Sequence, residues 1–414
     1  MRMKLNKSSQ LVLVSAAGIL AATLVTACSQ ITETKTIDFV YVASSKAAGA
    51  DNYGEINIFE INSESGKMRQ IPASPVPSGG RYPISEAVST DYSNLFVANH
   101  DDNSIVQFAI GTDGKLYAYN TVNTPGVFPV SIATSKDNLF VVDTYQPLPT
   151  CSVAAPCSGS IAVFPLAPAS GSTQITMGTP ATNVNVSGQY WPLTLAATPT
   201  DVVVPTGVAV QPSGKFVFVT AYDSTVTPHV GYVFVFSVGA KGVLTPVAGS
   251  PFAAGAQPSA IACDASGNYV YATDYARNQV LGFSVSAAGM LAALSGSPYP
   301  AGSAPAAVTV DQAYNYAFVA NSTDSSITVY SANAGVLTRL GNYSVGLQPV
   351  AIGVDPSAQR FIFTANFLGN NVSGYQLQKA DGSLLLSQGT PFPSNNQPTV
   401  VAAIPHNGTG GGIQ

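Results

Sequence analysis

One short strand ending recurs seven times in this chain, and that recurrence restricts the fold more than any other feature. It reads Tyr41-Val-Ala-Ser44, Phe96-Val-Ala-Asn99, Phe140-Val-Val-Asp143, Phe218-Val-Thr-Ala221, Tyr271-Ala-Thr-Asp274, Phe318-Val-Ala-Asn321 and Phe363-Thr-Ala-Asn366. Upstream of the last six copies stands a Pro that opens a small, apolar strand: Pro83, Pro129, Pro205, Pro258, Pro305 and Pro349, with a seventh at Pro398. The prolines step by 44 residues (Pro305 to Pro349) to 53 (Pro205 to Pro258), except for 76 between Pro129 and Pro205. A period of this length marks an array of repeated supersecondary units, each too small to bury its own apolar face alone.

Four strands are expected per repeat, and the stretch between Pro258 and Pro305 displays them best. Residues 259–263 form an Ala-rich inner strand, 268–273 the second strand and 279–285 the third, with an outer strand after Gly289-Met-Leu291. Asp264 and Gly267 mark the first turn, because Asp bonds its own backbone and Gly tolerates positive φ. The Gly of the second turn recurs at Gly66, Gly114, Gly242, Gly335 and Gly382. The first repeat lacks an inner strand and the last Pro is followed by nothing but one, residues 398–404. Both irregularities vanish if the C-terminal strand completes the first blade. The expected fold is therefore all-β: a seven-bladed β-propeller of four-stranded antiparallel blades, its ring closed by that pairing, over residues 38–404.

Antiparallel order puts the short turns on one face. The connections after each tetrad and those leading into each Pro fall on the other, which is where ligands are usually met. The enlarged third blade, about 130–204, carries two insertions on this variable face: 145–159, with Cys151 and Cys157, and 182–204, with Tyr190 and the only Trp, Trp191. They are expected either to cap the channel mouth or to pack along the rim.

Arg2, Lys4 and Lys7 precede an apolar core, residues 11–25, that ends in Val25-Thr26-Ala27-Cys28, so residues 1–27 read as a signal peptide. The ending resembles a bacterial lipobox, which implies a lipid on Cys28, a tether over 28–37 and, with Ser29 following, routing to the outer membrane; an ordinary cleaved signal is the alternative. Removing residues 1–27 takes the net charge from −5 to −8, which argues against a nucleic-acid partner. Export favours a Cys151–Cys157 disulfide over two free thiols. Cys263 reads as a small apolar residue, and the Gly-rich 405–414 as a flexible tail. The mature protein is expected to act as a monomer held to a membrane by lipid alone.

The tetrads resemble the repeat of the YVTN propellers, and the unit from Pro258 to Val280 resembles that of lactonase-type seven-bladed propellers, the group containing 6-phosphogluconolactonase. That resemblance implies a lactone hydrolase with a His-Pro-His element before an inner strand and an Asp-Leu-Gly-like loop after the second. The corresponding stretches here are Phe128-Pro-Val130, Gln257-Pro-Ser259, Gln348-Pro-Val350 and Asp274-Tyr-Ala-Arg277, and His occurs only at 100, 229 and 406.

Opening a lactone takes a general base and a group that polarises the carbonyl. His100, Asp102, Asp274 and Arg277 are the catalytic candidates, and they must share one pocket to act. Exposed loop chemistry at His100 to Asp102, and an Asx turn with a solvated Arg at Asp274 to Arg277, are the plainer readings. Arg81, Tyr82, Tyr145, Trp191, Tyr222 and Tyr275 supply the cation and aromatics of a sugar-like or peptide site. His100 beside Asp101 and Asp102 could also bind a divalent cation, but metal sites need three or more convergent ligands, and neither a metal site nor a cofactor is expected. The reading favoured is a binding module at the cell envelope, for a sugar-like or lactone ligand or for an envelope protein or glycan; the alternative is a lactone hydrolase.

Overall fold

The computed structural model describes residues 36–45, 53–62, 64–168, 174–356 and 361–405. The leader, Cys28, the tether up to residue 35, His406 and the C-terminal tail lie outside them. Seven antiparallel sheets follow one another along the chain. Their inner strands, Pro83–Val88, Val127–Thr134, Val203–Val210, Pro258–Cys263, Pro305–Val310, Pro349–Val354 and Pro398–Pro405, each neighbour the next around a closed ring. Blade 1 takes its inner strand from the far end of the chain. Pro398–Pro405 pairs with Thr36–Ser44, Phe39 opposite Ile404 and Tyr41 opposite Ala402.

The tetrads lie in the second strands, where alternate side chains face opposite sides of a blade. Tyr41, Phe96, Phe140, Phe218, Tyr271, Phe318 and Phe363 are all completely buried. The core is consequently seven apolar layers, each made by two adjacent blades; Phe96, Ala98 and Ile105 of blade 2, for example, meet Leu139, Val141 and Phe164 of blade 3. The recurrent turn Gly belongs to these seams. At Gly335, with φ 83°, a Cβ would lie 2.4 Å from the Tyr269 ring of the preceding blade, and at Gly114, with φ 76°, 2.4 Å from the Phe39 ring.

Near the axis the seams are stapled by hydroxyls. Thr399 donates to the Pro83 carbonyl at 2.6 Å, Thr206 to Pro258 at 2.7 Å and Ser259 to Pro305 at 2.6 Å. Ser85 and Ser131 instead accept, from the amides of Ile132 at 3.1 Å and Val208 at 3.2 Å. Small polar residues on the inner strands thus join blades that share no backbone ladder.

The outer strand differs from the expected single segment. In blades 1, 3, 4, 5 and 7 it divides into two short pieces, as with Leu291–Ala293 and Tyr299–Pro300, both paired to Gln279–Val285. Proline cannot donate to a ladder, and in four of these blades the hydroxyl just before a Pro takes over an amide of the third strand. Ser74 accepts from Ile58 at 2.8 Å, Ser250 from Val235 at 2.9 Å, Ser297 from Gly282 at 3.0 Å and Thr390 from Gly374 at 2.9 Å.

The 182–204 insertion lies along the rim. Trp191 pairs with Ile161 at the outer edge of blade 3, and its side chain is 4% exposed, among Leu193, Leu195, Val203 and Phe234 in the layer between blades 3 and 4. Cys151 and Cys157 form a disulfide, with Cα atoms 5.5 Å apart.

Two outcomes test this packing by chemical denaturation. Phe318→Ala should cost about 3–5 kcal/mol, as a large cavity opens between blades 6 and 7. Thr399→Val, which breaks the staple at the ring closure and strands a carbonyl, should cost about 1–2 kcal/mol.

Candidate functional site

The variable face is built by a device that repeats around the ring. Five of the inner strands follow Gly-x-x-Pro: Gly80 to Pro83, Gly126 to Pro129, Gly255 to Pro258, Gly302 to Pro305 and Gly346 to Pro349. Each Gly sits against the buried residue that ends the tetrad of its own blade, so closely that a Cβ would collide: 2.5 Å from Asp143 at Gly126, 2.1 Å from Asp274 at Gly255, 2.6 Å from Asn321 at Gly302. These side chains accept the amides of the incoming segment. Asp143 takes Gly126 at 3.2 Å, Asn321 takes Gly302 at 3.0 Å, and Asp274 takes Ala256 and Gln257 at 3.0 and 3.1 Å.

The residue just before Pro is held in a conformation that such residues avoid. Tyr82, Phe128, Ala304, Gln348 and Gln397 have φ of 54°, 60°, 56°, 55° and 58°. An Asn of the preceding blade secures three of them by accepting the amide: Asn103 from Phe128 at 2.6 Å, Asn278 from Ala304 and Asn370 from Gln397, both at 2.8 Å. The carbonyl is taken by the amide just after the tetrad, as in His100 to Tyr82 at 3.0 Å, Tyr275 to Gln257 at 2.9 Å and Phe367 to Gln348 at 2.9 Å. Pre-proline and post-tetrad side chains therefore come in pairs at the channel mouth, and blades 2, 5 and 7 supply Tyr82 with His100, Gln257 with Tyr275, and Gln348 with Phe367.

A mouth cavity of about 400 Å³ is lined by Tyr82, His100, Gln257 and Tyr275, with Ile84, Val130, Pro205, Thr206, Pro258 and Ser259 around them. His100 stacks on Phe128, ring centroids 4.8 Å apart, and meets Tyr82 edge-on at 5.6 Å; Phe128 continues to Tyr145 at 6.0 Å. The Nδ1 of His100 lies 2.7 Å from Asp101 Oδ1.

Of the four catalytic candidates, only His100 reaches this cavity. Asp102 turns away to Arg81, accepting from its amide and its Nε at 2.7 Å each. Partial burial works against ionisation there, but the Arg81 hydrogen bonds outweigh it and hold the Asp102 carboxyl below the usual range. Asp274 is completely buried and committed to Ala256, Gln257 and the Gln279 amide group at 3.1 Å. Arg277 lies on the exposed turn that follows. The expected shared pocket is therefore corrected: strand-end capping claims Asp274 and the Arg81 clamp claims Asp102.

Of the expected ligand contacts, Tyr82 and Tyr275 line the mouth and Tyr145 flanks it. Arg81 is engaged by Asp102 and Tyr222 packs beside His229 at 5.0 Å. Trp191 is removed from the site, because its indole fills the layer between blades 3 and 4. Burial and the neighbouring Asp264 push the Cys263 thiol up to about 12, far from a reactive thiolate. Among the described residues, no three His, Cys, Asp or Glu side chains converge as metal ligands would.

Below the mouth the ring encloses a channel cavity of about 500 Å³ whose wall shares Tyr82, Ile84, Val130, Thr206 and Ser259 with the mouth. It contains one residue that sequence reasoning passed over, Glu86. Counting three places from each Pro gives Glu86, Ile132, Val208, Ile261, Val308, Ile352 and Val401, one acid among six aliphatics. Glu86 is half-buried as a residue, yet both its carboxylate oxygens are shut off from solvent and have no hydrogen-bond partner. Burial raises its carboxyl to about 8.

Among curated proteins no sequence match is found. The closed ring does have solved counterparts. A Bacteroides fragilis protein provisionally assigned as a 6-phosphogluconolactonase superposes with a TM-score of 0.68 at 17% identity, over 90% of this chain and 99% of that one. The periplasmic gluconolactonase PpgL of Pseudomonas aeruginosa gives 0.68 at 18% identity, over 89% and 99%. At such identities the likeness is one of fold. The sequence profile described as lactonase, 7-bladed beta-propeller, matches residues 170–298 and 293–402, more than half of the chain, and the chain belongs to that family.

Proposed function

We propose that this lactonase-family propeller binds a neutral, hydroxylated ring compound of the sugar-lactone class at the mouth of its channel, and that it works as a binding module at the cell envelope. The observation that carries the reading is the make-up of the mouth: aromatic rings of Tyr82, His100 and Tyr275 beside the Gln257 amide, with neither Lys nor Arg in the wall of mouth or channel. Aromatic faces suit the C–H faces of a sugar ring, while a few amide and hydroxyl groups fix its orientation. A phosphorylated ligand needs a cation, and the nearby Arg81 is already held by Asp102. The carboxylates that a hydrolytic site would use are engaged in holding the backbone.

Family membership favours a second reading, hydrolysis of the bound lactone. In that case His100, oriented by Asp101 and not by Asp102, is the group placed to take a proton from an attacking water. The envelope setting rests on the lipobox-like Val25 to Cys28, with Cys28 as the lipid-bearing residue and the outer membrane as its destination. It is in keeping with a periplasmic protein among the structural neighbours. Among the described residues no helix is long and apolar enough to cross a membrane.

Calorimetric titration of the purified protein with D-gluconolactone, D-glucose and 6-phosphogluconate tests the reading. The neutral ligands should bind, and Tyr82→Ala or Tyr275→Ala should each weaken them by about fivefold, the loss of about 1 kcal/mol of ring contact. Preference for the phosphorylated ligand would overturn it. In a pH-stat assay, lactone opening above the spontaneous rate, lost in His100→Ala, would establish the hydrolase reading instead. Asp274→Ala should act on the fold, costing about 2–3 kcal/mol by leaving two buried amides unpaired.

A further inference from the structure

On the face opposite the mouth, three neighbouring seams share one construction. The turn between the first two strands of a blade meets the turn between the last two strands of the next, whose Gly packs against the aromatic residue near the start of the second strand: Gly289 on Phe216, Gly335 on Tyr269 and Gly382 on Tyr316. The seams between blades 4 and 5 and between blades 6 and 7 each hold a lysine ammonium group of the chain itself. Lys215 of blade 4 donates to the Ala287 carbonyl of blade 5 at 2.8 Å and lies 4.9 Å from the centre of the Phe216 ring. Lys379 of blade 7 lies 4.9 Å from the centre of the Tyr314 ring of blade 6, and its charge partly offsets the burial that raises the Asp311 carboxyl.

The seam between blades 5 and 6 has no such lysine. Asn268 precedes Tyr269 where Lys215 precedes Phe216, and the blade 6 turn that corresponds to the Lys379 turn reads Asn333-Ala334-Gly335. Here the two turns enclose a cavity of about 330 Å³, lined by Asp264, Tyr269, Asn268, Asn315 and Asn333 among others, and by no Lys, Arg or His. Asp264 is half-buried and accepts the amides of Ser266 and Tyr269 at 3.1 and 2.9 Å, but among the described residues it has no ion-pair partner. The three Asn residues are exposed, and their carboxamides make no hydrogen bond among the described residues. The one other acid bordering the cavity is the buried Asp311.

We propose that this cavity binds a primary alkylammonium group, seated against Asp264 and the three carboxamides as Lys215 and Lys379 are seated in the seams on either side. An ammonium group carries three donors and one positive charge, and a ring beside it adds cation–π attraction. Asn oxygens, the Asp264 carboxylate and the Tyr269 ring answer these in turn. An anionic ligand would find no cation in the wall, and a neutral polyol would leave the Asp264 charge unmatched. The site is separate from the channel mouth and does not depend on what the mouth binds.

Calorimetric titration of the purified protein at pH 7 with cadaverine, and with 1,5-pentanediol as a neutral compound of the same length, tests the assignment. Cadaverine should bind about tenfold more tightly than the diol. Asn268→Lys, which copies the Lys215 arrangement into this seam, should melt no lower than wild type and weaken cadaverine about tenfold. Asn268→Gln adds length without charge and should bind as wild type does. Asp264→Asn keeps an acceptor for the turn amides and should weaken cadaverine about fivefold.

Nα-acetyl-lysine methylamide separates two sources of the group. Tighter binding than cadaverine would assign the site to a lysine side chain of a polypeptide, weaker binding to a free amine, and either supports an alkylammonium site. Failure of cadaverine to bind, or equal affinity for the diol, would overturn the proposal. So would cadaverine binding left unchanged in a folded Asn268→Lys, which is the behaviour of diffuse attraction to an acidic protein.

Discussion

The molecule depends on one pairing, between its two ends. A propeller blade buries only half of its apolar surface by itself, so every layer of the core needs two neighbours, and a ring of blades needs a last neighbour for the first. Thr36–Ser44 and Pro398–Pro405 meet that requirement within a single sheet, which leaves no open edge between blade 7 and blade 1. Thr399 ties the same strand across to Pro83 of blade 2. Closure therefore fixes the channel diameter as well as the fold, since seven inner strands in contact define the space they surround.

Once the ring is closed, its inner ends become the site. The tetrad does two things in succession: its aromatic residue fills the layer between blades, and its final Asn or Asp caps the segment that leads into the inner strand. That cap, the Gly packed against it and the Asn borrowed from the preceding blade hold the residue before Pro in a strained conformation. Strain kept at a binding surface by rigid surroundings is a form of preorganisation. In blades 2 and 7 it presents Tyr82 and Gln348 beside the channel, and in blade 5 the Asp274 cap holds Gln257 there, while the acids that seemed chemical from their spacing are consumed in building it.

The repeat was legible because it is written in hydrophobic period and turn chemistry. Blade number, strand order, the ring closure and the role of the turn glycines all follow from those. The divided outer strands were not, because the signal is a Ser or Thr before Pro whose hydroxyl bonds a strand distant in sequence, as Ser297 does to Gly282. Trp191 misled for a related reason: an insertion on the variable face returned as a short outer strand, and an indole finds more apolar area between blades than over a polar mouth. Asp274 and Asp102 looked catalytic because spacing shows proximity in sequence and not what an oxygen already accepts. Glu86 was readable in principle, by aligning the seven inner strands and asking which position breaks the aliphatic column.

The central claim is that mouth and channel together hold a neutral hydroxylated ring. The most direct measurement is a crystal structure of the protein with D-gluconolactone bound. The account requires density for the ring at the channel mouth, against Tyr82 and Tyr275 and beside the Gln257 amide. Density confined to the outer face near Trp191, or a mouth and channel holding only ordered water at saturating ligand, would contradict it.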